Sequence, residues 1–285
     1  MEPIARLGSS LDLPLSLSPL TVPDLPFPTA ARVARDCGFR GIGVRPQAVA
    51  DLGVDGVRAV LDAAEVSPTS ICALTGLIGP DSTPAADRLA AADRCLAYAA
   101  GLGVPLVVLI GGPGVGLNRE QAWQRAAVGF ETLVARAARA GVSVLLEPLH
   151  PVLIEASVVT SLTDGLALIG RAPNAGLVLD TWHVWWDPRL GQFLRQCGAR
   201  VGIVHLSDWA PPPTVGLDRV LPGAGVIDLP AMCADILDAG FRGWWEVEIL
   251  SESLRSGDQA ALARAAHDAA AEVLRQALAS HPSTG

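Results

Sequence analysis

The chain contains no lysine, since all 21 of its basic residues are arginine. Schiff-base catalysis and the phosphate-binding loop of P-loop nucleotide hydrolases each depend on a lysine amine. The absence of lysine therefore excludes class I aldolase chemistry and P-loop NTPase chemistry. A formal net charge of −8 and the lack of an arginine-rich run also disfavour a nucleic-acid partner.

Cysteine is scarce and long apolar runs are missing. The five cysteines are scattered, odd in number and never arranged as CxxC, which is typical of free thiols in a reducing compartment. Residues 1–10 lack the long apolar segment of a signal peptide. The most apolar stretch, residues 103–117, is interrupted by glycine and proline and is too short to span a bilayer. We therefore expect a cytoplasmic protein without membrane association.

Apolar runs of strand length alternate with segments of helical periodicity along the chain. Strands are predicted near residues 4–9, 40–44, 69–75, 104–110, 142–147, 175–181, 201–206 and 243–249. Helices are predicted near residues 29–37, 54–64, 84–101, 118–140, 161–170, 189–197, 228–239 and 257–279. Eight strand–helix units with continuously apolar strands favour an α/β fold, a single closed (β/α)8 TIM barrel. The length of 285 residues suits one domain over residues 1–285.

Helix ends and loops also leave signals in the sequence. Asn118 and Gln121 predict a partial capping box at the start of the fourth helix. The glycines expected to end helices in the left-handed conformation are Gly101, Gly141 and Gly240. Residues 10–28 and 207–227 are predicted as long loops after strands. Loops on that side of a barrel build the substrate pocket.

Polar side chains close four successive predicted strands. These residues are Glu147, Asp180, His205 and Glu248. The carboxyl ends of the strands meet on one face of a parallel barrel, where such enzymes keep their active sites. Alone, Glu147 is equally well explained by a structural salt bridge, and a lone histidine after an apolar strand is usually a satisfied core group. The joint occurrence of the four residues favours a metal site. Three carboxylates and an imidazole suit a divalent cation, with Mn²⁺ expected and Mg²⁺, Co²⁺ or Zn²⁺ as alternatives.

Further polar residues lie near the same strand ends. His150 lies in the loop after the fifth strand, where a lone histidine is more often structural than catalytic. Asp208 lies three residues after His205 and is a candidate to orient its ring. Glu246 and Glu248 alternate and so point to the same side of their strand. One of the two is a ligand candidate, and the other is expected deeper in the barrel.

Aromatic residues follow the sixth strand. Asp180 and His183 face one cavity if the chain turns after this strand. Trp182, Trp185 and Trp186 come next to them. At least two of the tryptophans are expected to pack beneath the barrel mouth. The alternative function is an apolar wall against a sugar-like ring or an aglycone.

These motifs resemble the sugar phosphate isomerase/epimerase group of the xylose isomerase-like TIM barrel superfamily. The group includes ketose 3-epimerases, hydroxypyruvate isomerase, inosose dehydratase and 3-dehydroshikimate dehydratase. The resemblance covers essentially the whole chain, and its specific part lies within residues 142–250. The glutamate of strand five is Glu147, the D-x-x-H motif is Asp180 and His183, and the H-x-x-D motif is His205 and Asp208. The G-x-x-x-V-E motif is Gly243–Glu248. The R…G-x-G-x-I-D motif consists of Arg219, Gly223, Gly225, Ile227 and Asp228.

The resemblance implies roles for individual residues. The implied metal ligands are Glu147, Asp180, His205 and Glu248. The implied substrate-binding residues are His183 and Arg219, and we add Trp182 and Asp208 as candidates. Glu147 and Glu248 would be the general base and acid, and His150 or His183 would protonate a leaving oxygen. Many relatives end strand two with a glutamate, whereas this chain has Val44 and Arg45 there.

The resemblance also implies a reaction. A sugar, cyclitol or glycoside would lose a proton next to its carbonyl, and the enediolate would be isomerised or epimerised. Elimination from the same intermediate, by a dehydratase or a C-glycoside-cleaving lyase, is one alternative, and a non-catalytic barrel subunit is another. A DNA-repair endonuclease is disfavoured by the acidic chain and its five histidines. A homo-oligomer is compatible with the sequence.

Overall fold

The computed structural model describes residues 13–78, 85–112, 117–210 and 218–280. Within them, eight strands close into a parallel barrel in chain order. The strands are β1 (Leu15–Leu17), β2 (Gly41–Val44), β3 (Ser67–Thr75), β4 (Leu106–Leu109), β5 (Val144–Leu146), β6 (Ala175–Asp180), β7 (Val201–Leu206) and β8 (Trp244–Val247). The predicted (β/α)8 barrel is confirmed.

Helices follow the strands along the chain. They are α1 (Phe27–Cys37), α2 (Pro46–Ala64), α3 (Ala85–Leu102), α4 (Arg119–Ala140), α5 (Leu162–Ile169), α6 (Thr181–Val184), α7 (Leu190–Cys197), α8 (Leu229–Asp238), α9 (Glu252–Arg255) and α10 (Gln259–Ser280). Their apolar faces pack with one face of the strands into a large buried cluster. Within the described part of the chain, none of them has the length and apolarity needed to cross a bilayer.

Alternate strand residues face either the helices or the barrel interior. On β5, Val144 and Leu146 join the helix-facing cluster, whereas Leu145 belongs to a small separate cluster. The other buried members of this interior cluster are Cys72, Val107, Val178 and Ile203. Two residues beyond Leu145, the same alternation brings Glu147 to the inner face. The barrel interior is therefore apolar in its lower part and polar at the carboxyl ends of the strands.

The first strand differs from its prediction. Residues 4–9 lie outside the described residues, and β1 lies within the segment 10–28 for which composition predicts a loop. The loop prediction is therefore wrong for part of this segment. Pro14 and Pro19 flank a strand of only three residues, and Ser16 in its middle is fully buried in the polar interior. Neither length nor apolarity marks such a strand in the sequence.

Two predicted helix ends at α4 are confirmed. The side chain of Asn118 accepts a hydrogen bond from the main-chain N–H of Gln121 at 2.9 Å. The side chain of Gln121 accepts in return from the main-chain N–H of Asn118 at 3.1 Å, which completes a capping box. Gly141 ends the helix in the left-handed conformation, with φ of 68°. Local sequence therefore determines both ends of this helix.

Two other helix predictions are corrected. Gly101 lies inside α3, and Gly103 takes the positive φ of 71° after the helix ends. Helix α2 begins at Pro46 rather than near residue 54. Gly53, with φ of 72°, interrupts the helical geometry, so the predicted start near residue 54 is the start of the second of two helical stretches. Gly240 has the positive φ of 89° expected after α8.

Candidate metal centre

Four side chains converge at the carboxyl ends of β5 to β8. Glu147 follows β5, Asp180 ends β6, His205 lies in β7 and Glu248 follows β8. One potential ligand atom from each of them lies within 4.8 Å of the others. All four side chains are buried. The structure therefore brings the four predicted ligands together in one cluster.

The Nδ1 atom of His205 lies at the centre of this cluster. It is 2.9 Å from Glu147 Oε1, 3.6 Å from Glu248 Oε1 and 3.9 Å from Asp180 Oδ2. Three buried carboxylates around one nitrogen leave an excess of negative charge, which is unfavourable unless a cation offsets it. An oxygen-rich donor set with one imidazole suits a hard or borderline divalent ion. The residues present thus fit a divalent metal ion.

Burial and the neighbouring charges shift the pKa values in the cluster. Burial raises the pKa of Glu147, and repulsion from Glu248 and Asp180 adds to this effect against the lowering by His205. Burial lowers the pKa of His205, but the carboxylates of Glu248 and Glu147 outweigh it and raise that pKa well above its ordinary value. The cluster therefore favours a positive charge at its centre.

Arg219 lies beside the four residues and is itself buried. Its Nη1 atom donates to Asp180 Oδ2 and to Glu248 Oε2, both at 2.8 Å. Its guanidinium carbon lies 5.6 Å from the ring centroid of Trp182. These contacts hold Nη2 at 3.3 Å from Nε2 of His183. Arg219 thus offsets part of the negative charge and is fixed next to the predicted substrate-binding histidine.

Both ring nitrogens of His183 contact hydrogen-bond donors. The main-chain N–H of His150 donates to His183 Nδ1 at 3.1 Å. Burial, together with the charge of Arg219, lowers the pKa of His183 well below its ordinary value, so the ring is neutral. Nη2 of Arg219, which can only donate, lies 3.3 Å from His183 Nε2. A donor therefore faces each ring nitrogen of the neutral His183, one from the main chain and one from Arg219.

His150 lies among tryptophan rings. Its ring centroid is 5.6 Å from Trp182, 5.6 Å from Trp186 and 5.1 Å from Trp209. Its Nδ1 accepts the main-chain N–H of Val152 at 3.1 Å, and burial lowers the pKa of the ring. A neutral His150 therefore carries its proton on Nε2 and can act as a donor.

The tryptophans differ in their exposure. Trp182 is 1% exposed and stacks on Trp209 with 4.3 Å between ring centroids, so it packs beneath Arg219. Trp186 is 36% exposed, and its Nε1 donates to the main-chain oxygen of His183 at 2.8 Å. Packing thus describes Trp182 in this structure, and its direct contact with a substrate stays a prediction.

Asp208 has other partners than the ring of His205. Its carboxylate accepts four main-chain N–H groups at 2.8–3.1 Å, those of Trp209, Gly223, Gly225 and Ile227. A Cβ at Gly225 would lie 2.3 Å from Asp208 Oδ1, so this close approach requires glycine. Asp208 therefore organises the loop around residues 223–227, which corrects its predicted role in orienting His205. Its contact with a substrate stays a prediction.

Three hydroxyl groups of the site were not predicted. Ser18 Oγ donates to Glu248 Oε1 at 3.1 Å. Ser16 Oγ and Thr69 Oγ1 donate to Glu246 Oε2 at 2.9 Å and 2.7 Å. The alternation of leucine and serine over residues 15–18 is the signal of a strand with a polar inner face, but the surrounding prolines obscure it.

Comparison with curated proteins finds relatives among dehydratases. Inosose dehydratase from Klebsiella pneumoniae (strain 342) is 29% identical over 148 residues. This match covers 45% of the present chain and 48% of that protein. The chain therefore spans about half the length of the curated relative that it matches.

Solved structures share the fold over nearly the full chain. Protein SMc04130 from Sinorhizobium meliloti 1021 has a TM-score of 0.85 and 27% identity, over 92% of this chain and 98% of that one. The IOLI protein, solved with a bound zinc atom, has a TM-score of 0.81 and 20% identity, over 93% and 99% of the two chains. The profile of one family matches residues 31–277. The chain belongs to the xylose isomerase-like TIM barrel family.

Proposed function

We propose that the chain is a divalent-metal-dependent isomerase or epimerase, which removes a proton next to the carbonyl of a sugar or sugar-like ketone. The observation that carries this proposal is the cluster of Glu147, Asp180, His205 and Glu248, with ligand atoms within 4.8 Å of one another. Membership of the xylose isomerase-like family supports it. Mn²⁺ is the expected ion, and the zinc atom of the IOLI structure makes Zn²⁺ the first alternative.

The four clustered residues would hold the ion. When bound, the ion supplies Lewis-acid stabilisation of the negative charge that develops on the substrate oxygen. Glu147 follows β5 and Glu248 follows β8. We expect the two carboxylates to approach the substrate from different sides. One carboxylate would accept the proton from the substrate carbon and the other would supply a proton to the opposite face or to the neighbouring carbon.

His183 and Arg219 would position the substrate. The neutral His183 would hydrogen-bond a substrate oxygen through Nε2 in the tautomer that carries its proton there. Arg219 is held by Asp180 and Glu248, and its guanidinium remains charged because these carboxylates raise its pKa against the effect of burial. Both groups would favour an oxygen that gains negative charge in the transition state.

Elimination is the second candidate reaction, and two observations favour it. The first is the half-length similarity to an inosose dehydratase. The second is the Nε2–H of His150, which would protonate a leaving oxygen after the substrate carbon has lost its proton. The substrate would then be a cyclitol or glycoside with the leaving group on the carbon next to the deprotonated one.

The first experiment is metal analysis of the purified wild type, Glu248→Ala and Glu131→Gln, the last being a control at an exposed position of α4. We expect about one ion per chain in the wild type and the control, and loss of the ion in Glu248→Ala. A wild type that binds no divalent ion after reconstitution would contradict the proposal and favour a non-catalytic barrel.

The second experiment identifies the reaction. Ketoses, inososes and 3-keto-glycosides are incubated with the loaded enzyme in D2O and followed by proton NMR. Deuterium incorporation with retention of the carbon skeleton and its oxygens indicates isomerisation or epimerisation. Release of water or an aglycone indicates elimination. If none of these substrates gives either result, both proposed reactions are contradicted.

A further inference from the structure

A buried carboxylate outside the proposed ligand set lies next to His205. In the strand register, Glu246 of β8 pairs with His205 of β7 on one side and with Ser16 of β1 on the other. Its Oε1 atom is 3.8 Å from Nε2 of His205. Both atoms are buried, and neither has a hydrogen-bond partner among the described residues. Two unpaired atoms of complementary type therefore face each other beneath the candidate metal centre.

Three strands shape the position of this carboxylate. Ser16 of β1 and Thr69 of β3 donate to its Oε2 at 2.9 Å and 2.7 Å. On β2, a Cβ at Gly43 would lie 2.8 Å from Glu246 Oε1, so only a glycine leaves room for the side chain in this orientation. The hydroxyl groups hold one oxygen of Glu246 and leave the other directed at His205.

A metal-bound imidazole needs an acceptor for its remaining N–H, and this arrangement can supply one. If Nδ1 of His205 binds a cation, the neutral ring keeps its remaining proton on Nε2. A buried N–H needs an acceptor, and Glu246 Oε1 is in position to provide one. The 3.8 Å separation is too long for a hydrogen bond, and a shift of about 1 Å would close it.

We propose that Glu246 is a positioning residue, which accepts the Nε2–H of His205 and so fixes the ring with Nδ1 toward the bound ion. This inference rests on the proposed metal site. Glu246 itself touches neither the ion nor the substrate in this proposal. Ser16, Thr69 and Gly43 act through it by fixing the direction of its free oxygen.

The test measures the affinity for Zn²⁺ by competition with a chelator, without any activity assay. Glu246→Leu removes the acceptor and should weaken Zn²⁺ binding by roughly 10- to 100-fold. Glu246→Gln keeps an acceptor oxygen toward His205, and its amide can donate to the hydroxyl groups of Ser16 and Thr69. We expect its affinity to stay within about threefold of the wild type, a small part of the loss that removal of the acceptor causes.

A ¹⁵N NMR spectrum of the zinc-loaded protein reads the His205 tautomer directly. In the wild type and in Glu246→Gln, Nε2 should appear as a protonated nitrogen with a resolved N–H. In Glu246→Leu this signal should shift or broaden because the proton has lost its acceptor. A purely structural role of Glu246 would not change this signal in a folded variant.

The outcomes separate this inference from the proposed function. A wild type that binds no Zn²⁺ contradicts the metal site itself. A wild type that binds Zn²⁺, with Glu246→Leu unchanged in affinity and ¹⁵N spectrum, overturns only the role of Glu246. Equal losses in Glu246→Gln and Glu246→Leu also overturn it, because charge and not hydrogen bonding would then be decisive.

A second variant covers the case in which Glu246→Leu does not fold, as judged by circular dichroism. Ser16→Ala combined with Thr69→Val retains Glu246 but removes both hydroxyl donors, and should weaken Zn²⁺ binding by about tenfold. Thr75→Val, at an exposed position of the same strand as Thr69, is the matched control and should bind as the wild type does. Unchanged binding in the folded double variant overturns the proposal.

Discussion

At the residue scale, Asp208 shows how one carboxylate organises a loop next to the site. It accepts main-chain N–H groups on both sides of Val220, with which it also forms an isolated bridge. Val220 directly follows Arg219. Loss of the carboxylate would therefore leave several N–H groups unpaired and would loosen the segment that carries the arginine of the site.

The prediction concerns Asp208→Ala. We expect the free energy of unfolding to fall by roughly 2–4 kcal/mol, because buried main-chain donors lose a charged acceptor. Urea denaturation at neutral pH measures the change. Asp55→Ala removes a carboxylate whose side chain is 97% exposed and should change stability by no more than about 0.5 kcal/mol. Equal effects of the two substitutions would contradict the structural role of Asp208.

The cysteines allow a prediction about reactivity. Cys37, Cys72, Cys95 and Cys233 are buried, and burial raises the pKa of each thiol, whereas Cys197 is partly exposed. Because the thiolate is the reactive form, the four buried thiols should stay unreactive even near pH 8.5, where an ordinary cysteine is about half ionised. Iodoacetamide labelling with mass spectrometry should modify Cys197 first. Rapid labelling of Cys72 in the folded protein would contradict the buried interior.

At the element scale, the sequence predicts the strands that have a clear apolar run. Strands β2 to β8 are found where apolar runs predict them, and their carboxyl ends bring Glu147, Asp180, His205 and Glu248 together. β1 was not predictable, because its inner-facing serine is stabilised by partners elsewhere in the chain. The bond from Ser16 to Glu246 spans 230 positions. Tautomers and interior hydrogen bonds depend on such long-range contacts, which local periodicity does not record.

Residues of three neighbouring strands, β5, β6 and β7, also pack against one another inside the barrel. A Cβ at Gly202 of β7 would lie 2.6 Å from Cδ2 of Leu145 of β5, and a Cβ at Gly176 of β6 would lie 3.0 Å from the same atom. The leucine therefore occupies the space that two glycines leave. At the amino-terminal end of β7, where Gly202 is exposed, a large residue on β5 thus packs against small residues on β6 and β7.

Gly202→Ala should consequently destabilise the barrel by about 1–3 kcal/mol through overpacking. Leu145→Ala alone should cost about 2–5 kcal/mol, because it leaves a cavity. In the double variant, the alanine at position 202 should cost less than in the wild type, since the clashing methyl groups are gone. A double-mutant cycle in urea measures this coupling. Additive effects would mean that the two side chains do not compete for the same space.

At the scale of the whole molecule, buried charge is concentrated at one end of the barrel. Glu147, Asp180, Glu246 and Glu248 are all buried there, and Arg219 offsets only part of their charge. Folded domains are stable by only about 5–15 kcal/mol, so repulsion among these carboxylates lowers the free energy of unfolding of the whole domain. A cation in the cluster should therefore stabilise the molecule as a whole. One domain over residues 1–285, a homo-oligomer and a cytoplasmic location stay predictions.

The last prediction is that metal binding raises the melting temperature. Free Mn²⁺ at 100 times its Kd should add about 2.7 kcal/mol to the free energy of unfolding, because the unfolded chain does not form the site. For a chain of this size, that corresponds to a shift of roughly 4–5 °C. Differential scanning calorimetry with and without a chelator measures it. Glu131→Gln should show the full shift, and Glu248→Ala should show little, because one ligand is missing. A shift of equal size in both variants would place the bound ion elsewhere and contradict the cluster as the metal centre.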